Sequence, residues 1–146
     1  MKAAQRKKSF RRRLMAATVI SVLLPVVNVA RESQYGQKVP DTFNYPQSQE
    51  TIQLDAEIKS RSLSGVVTDP GGAAASKILV ERVRPGWGKR VSAVLSDSTR
   101  HFAFAGARPG THFLRVSKPG FNTMLLKVRV SAKARSPLRI ELKLSN

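Results

Sequence analysis

From Ser62 to the C-terminus, apolar and polar side chains alternate in short runs separated by glycine and proline. The clearest stretch is 101–121, HFAFAGARPGTHFLRVSKPGF. Phe102 and Phe104 alternate, Gly106, Pro109 and Gly110 interrupt, and a second alternating run carries Leu114 and Val116 before Pro119-Gly120 turns the chain into Phe121. A period of two gives a strand with one apolar face, and Pro-Gly pairs supply the turns between strands. The same reading predicts strands over 62–68, 77–83, 90–96, 101–105, 111–117 and 121–130. A seventh follows in which Leu138, Ile140, Leu142 and Leu144 alternate with Arg139, Glu141 and Lys143. In the second strand, Ile78, Val80 and Val83 are expected to face inward. Short strands about 8–12 residues apart, with turn chemistry between them, predict an all-β sandwich or barrel over residues 61–146. A domain of this size buries about 60–65% of its unfolded surface, so no large internal ligand cavity is expected.

The turn and strand residues fall in a specific order. Gly65-x-Val67-x-Asp69-x-x-Gly72 opens the region and Ser96-Asp97 precedes Phe102-x-Phe104. Pro109-Gly110, Leu114, Val116 and Gly120-Phe121 complete the series. In combination these motifs resemble the carboxypeptidase regulatory-like domain, a transthyretin-like module. The resemblance covers nearly all of residues 61–146 and implies an antiparallel, seven-stranded Greek-key β-sandwich. It also implies an accessory role, since in metallocarboxypeptidases such a domain sits beside the catalytic unit. Three positions depart from the family pattern. Arg100 stands where a glycine is usual, His112 replaces a usual tyrosine, and three alanines follow Gly72. If the turn at Arg100 needs a positive φ, a side chain there costs about 1 kcal/mol.

The pattern upstream differs. Lys2, Arg6, Lys7, Lys8 and Arg11–Arg13 precede an uncharged run from Leu14 to Ala30. A positive head and an apolar run are the signature of an export segment, with the head held in the cytoplasm. Residues 1–30 are read either as a cleaved signal peptide or as a hydrophobic helix that stays as a membrane anchor, and both readings stand. Residues 31–60, rich in Gln, Ser and Pro, are expected as a flexible linker. Within it Ile52, Leu54, Ala56 and Ile58 alternate with polar residues, which fits either an edge strand over 51–58 or a turn of helix opening at Thr51.

Charge then narrows the classes. The formal net charge is +17 and there is no cysteine. Disulfides, thiolate metal sites, a cysteine nucleophile and a lipid-modified cysteine are therefore excluded. Residues 1–30 carry seven Lys/Arg and no acid, whereas residues 61–146 carry sixteen basic and four acidic side chains. The basicity is thus a property of both the export segment and the domain. No enzyme, metal or cofactor is expected. The two histidines, His101 and His112, belong to no zinc-ligand motif. Ser96, Asp97 and His101 are too close in sequence to suggest a relay, and Ser96 and Asp97 read instead as turn-capping residues.

Two features suggest binding. Trp87 lies between Gly86 and Gly88, with Arg82, Arg84, Lys89 and Arg90 around it. On an exposed loop it would stack on a sugar or base, and otherwise it would fold back as a lid on the core. Arg115, Lys127 and Arg129, with Arg139 and Lys143, take outward strand positions that would form a single basic face. The expected function is a non-catalytic, exported module for binding or scaffolding at the cell envelope, periplasmic, secreted or membrane-tethered. Its expected partners are carbohydrate or an anionic envelope polymer, the membrane through residues 14–30, or a protein. The alternative is a purely structural interaction module that adds an edge strand to a partner. Nucleic acid ranks behind these, because export removes the domain from it.

Overall fold

The computed structural model describes residues 36–46, 50–72, 76–135 and 137–146, and the expected export segment lies outside them. Among the described residues the fold is all-β, with ten strands: β1 (Gln37–Lys38), β2 (Thr51–Gln53), β3 (Ile58–Ser60), β4 (Ser64–Thr68), β5 (Leu79–Val83), β6 (Arg90–Leu95), β7 (His101–Ala103), β8 (Gly110–Ser117), β9 (Thr123–Val130) and β10 (Leu138–Glu141). A seven-stranded sheet runs β1-β6-β5-β8-β9-β2, with β3 also on β9, and a three-stranded sheet runs β10-β4-β7. The inward positions of both form one core, in which Val80, Leu114, Val116, Leu126 and Val128 meet Val67, Phe102, Leu138 and Ile140. Burying each such side chain stabilises the fold by about 1.5–3 kcal/mol.

Each of the seven strands expected from periodicity forms, but the sheets are mixed rather than antiparallel. β10 runs parallel to β4, and β2 and β3 run parallel to β9. Alternation specifies which face is apolar and carries no information on strand direction. Gly65 permits the β4–β10 pairing, because a Cβ there would lie 2.2 Å from the Leu138 carbonyl oxygen.

The segment expected as a linker is threaded onto both margins of the large sheet. β1 pairs with β6. Val39 is buried with Leu79 and Ala93 on the sheet's outer face, and Phe43, Tyr45 and Leu95 pack against them. At the opposite margin the 51–58 alternation becomes an edge interrupted by a bulge. Gln53 is opposite Leu125 and Ile58 opposite Val128, so four residues of one strand span two of the other.

Candidate functional site

The hairpin joining β5 to β6 closes through Arg84 N–H donating to the Lys89 carbonyl (3.0 Å) and Gly88 N–H to the Arg84 carbonyl (3.1 Å). Two consecutive residues take the left-handed conformation, Gly86 at φ 73° and Trp87 at φ 60°. This bend lays Trp87 back over the outer face of the large sheet. Its ring meets Phe113 edge-on, with centroids 5.2 Å apart and planes at 85°. Trp87 is half-buried on the outer sheet face and does not cap the core. Phe113 is the aromatic that makes this placement possible, and its outward position in β8 was its sequence signal.

Phe113 lies opposite Lys127, and Arg115 opposite Leu125. Arg115 Nη2 donates to the Trp87 carbonyl at 3.1 Å. The aromatic pair is therefore continuous with the cationic row of β8 and β9. Arg84 and Lys89, at the hairpin tip, are exposed, and their side chains have no ion-pair partner among the described residues. Such a surface can pack C–H groups of a sugar on a ring edge or face and pair a carboxylate or phosphate with guanidinium.

The remaining predicted residues separate from this group. Arg90 is inserted beneath the arm formed by residues 36–46. Its Nε donates to Glu81 Oε1 at 2.8 Å, its Nη1 to the Asp41 carbonyl at 2.9 Å, and its Nη2 to Asn44 Oδ1. Glu81 is buried and also lies 3.8 Å from Arg115 Nη1. Arg82 has inward parity and lines a cleft at the seam between the sheets. Arg129 and Lys127 share Glu57, with Arg129 Nε 2.8 Å from Oε1 and Lys127 Nζ 4.0 Å from Oε2. The Arg129 hydrogen bond, chiefly, holds the Glu57 carboxyl below the ordinary glutamate value. The cations do not form one face, because Arg139 and Lys143 belong to the β10 side of the small sheet.

The turn residues behave as caps. Asp97 Oδ1 accepts from Thr99 N–H (2.8 Å), Thr99 Oγ1 (2.7 Å) and His101 N–H (3.0 Å). Burial works to raise the Asp97 carboxyl, and these bonds outweigh it and hold it low. Ser96 Oγ accepts from Ile78 N–H at 3.0 Å. His112 Nε2–H donates to the Arg108 carbonyl at 2.8 Å. Arg100 does take a positive φ, 70°, and its Nη1 ties the turn to the Gly72 carbonyl at 2.7 Å.

No family model and no curated protein matches the chain.

Proposed function

We propose that this protein is a non-catalytic, exported binding module of carboxypeptidase regulatory-like type, acting at the cell envelope. It engages an anionic polymer or acidic carbohydrate through the Trp87 loop. The observation that carries this reading is the Trp87–Phe113 pair, which lies on the outer sheet face between hairpin-tip cations that have no ion pair among the described residues and the row of Arg115, Lys127 and Arg129. A half-exposed aromatic beside cations suits a polymer that has both ring surfaces and anionic groups. Export is supported by the basic head and apolar run of residues 1–30. The family assignment draws on the order of the glycine and proline motifs and on the left-handed turn at Arg100, where the family has glycine.

The test is binding of the full-length chain to an acidic polysaccharide and to anionic liposomes. Trp87→Ala and the Arg84→Ala/Lys89→Ala pair are each expected to weaken binding about tenfold, since each 1.4 kcal/mol is a factor of ten. Unchanged binding in both variants would remove this reading. Intact mass and fractionation test export. A chain starting near Arg31, or full-length chain in membranes, supports it, and full-length chain in the cytosol returns nucleic acid to first place.

A further inference from the structure

At the margin where the large sheet ends in β6 and β1, and the small sheet ends in β7, the two sheets part. The cleft between them has a volume of about 1030 Å³, at the upper end of ligand pockets, which run roughly 300–1,000 Å³. It is an open seam, distinct from the internal cavity that domain size argued against. Part of its wall is apolar, with Val94, Leu95, Ala103 and Phe104. Among the described residues β1 and β7 are the edge strands of their sheets, and Gly36 lies between the walls, where a Cβ would come 2.7 Å from the Leu95 carbonyl oxygen and 3.5 Å from Phe102 Cα. Val67 N–H bonds the Arg100 carbonyl and Phe104 N–H the Leu63 carbonyl, so even-numbered residues of this strand turn their backbone toward β4. The alternation leaves the N–H and C=O of Ala103 directed at the cleft. On the other side Val39 N–H bonds the Ala93 carbonyl, and Lys38 is left with its backbone on the free side of β1.

Charge selects the occupant. Lys38, Lys77 and Arg82 line the cleft, and none has a side-chain ion pair among the described residues. The single acid in the lining, Asp97, is consumed by the Thr99 and His101 bonds. Ser92 Oγ, also in the lining, is buried without a hydrogen-bond partner among the described residues.

We infer that this cleft is a second binding site that takes an extended acidic peptide by strand addition to the β7 edge, with its carboxylates on Arg82, Lys38 and Lys77. Main-chain bonds give such a complex its affinity, and side-chain contacts on alternate residues give its selectivity. An edge unpaired among the described residues, beside a partly apolar wall, favours a peptide, and the three cations favour an acidic one. The site is independent of the Trp87 surface.

The probe is a fluorescein-labelled decapeptide alternating Glu with Val and Thr, titrated into the full-length chain. Its control is the same peptide with Lys for Glu. The acidic peptide is expected to bind with Kd below about 100 μM and the basic one at least about tenfold more weakly. Arg82→Glu with Lys38→Glu is expected to reverse that preference. Ala103→Pro, which removes the N–H facing the cleft and leaves the β4 ladder intact, is expected to abolish binding. Trp87→Ala is expected to leave peptide binding unchanged, which separates this site from the polymer surface. Equal affinity for both peptides, loss of peptide binding in Trp87→Ala, or no saturation by about 1 mM would each overturn the inference. If Ala103→Pro fails to fold, the charge reversal still decides.

Discussion

Two carboxylates on the same outer sheet face, each bracketed by two cations, have opposite environments. Glu81 sits in the middle of β5 with its side chain 3% exposed, against Arg90 at 10% and Arg115 at 24%. Glu57 sits in the edge bulge between β2 and β3, a quarter exposed, against Arg129 and Lys127 at about half. The charge pattern is the same, and burial decides what each does. A buried pair is strongly destabilising to break, because removing one partner leaves an uncompensated charge in low dielectric. An exposed pair competes with water and salt and contributes little. Glu81 therefore organises the fold, and Glu57 holds Arg129 and Lys127 in an exposed pair at the sheet edge.

The largest effect should follow from Glu81→Ala, which leaves Arg90 and Arg115 facing each other without a counter-charge. A loss of about 3 kcal/mol is expected from chemical denaturation. Glu57→Ala should move the denaturation midpoint far less. A small shift for Glu81→Ala, or an equal one for Glu57→Ala, would break the contrast. Glu81 also has one oxygen, Oε2, buried without a hydrogen-bond partner among the described residues. Glu81→Gln, which keeps the shape and loses the charge, should therefore also be destabilising, showing that charge rather than shape matters.

Next in size is Arg90→Ala. It removes the Glu81 partner and the bonds to the Asp41 carbonyl and Asn44 that clamp the arm. About 2 kcal/mol is expected, somewhat below the Glu81 loss because Arg90 is nearer solvent. The diagnostic readout is limited proteolysis, in which cleavage within 36–46 should precede global unfolding. Tyr45→Phe tests the same arm at its far end, where the hydroxyl donates to the Lys77 carbonyl at 2.7 Å. Its expected cost is about 1 kcal/mol.

This contrast also shows what the sequence could convey. Alternation located most inward residues, and Phe102, Leu114, Val116 and Ile140 are buried, but Val83, expected inward, lies opposite Phe113 on the outer face and Leu144 is exposed. The family resemblance raised a positive φ at Arg100 as a condition, and the turn there has φ 70°. Glu81 takes an outward position in β5, opposite Arg115. What buries it is the arm 36–46, some forty residues away in sequence, and a polar segment rich in Pro and Gln reads as a linker until Val39, Phe43 and Tyr45 find an apolar patch. The pooling of Arg139 and Lys143 with Arg115 failed for a related reason. Outward positions on successive strands share a face only when the strands share a sheet, and the connection after β9 carries β10 to the other one.

The smallest effect lies in acid, and the sign distinguishes the two regions. Glu57 and Asp97 both have carboxyls held below their ordinary values in the folded chain, Glu57 first by the Arg129 hydrogen bond, Asp97 by turn bonds that outweigh burial. A group whose pKa is lower folded than unfolded adds stability that is fully present above the unfolded value, about 4 for a carboxylate, and is lost as pH falls through the folded one. Stability should therefore decline below about pH 4. Asp97→Asn should flatten that decline at any ionic strength, because the bonds it keeps are local and charge-independent in number. The Glu57 contribution should disappear in about 1 M salt, where the Debye length is near 3 Å. A Glu57→Gln variant with an unchanged acid limb at low salt would show that Arg129 and Lys127 are free to meet a ligand without first releasing Glu57.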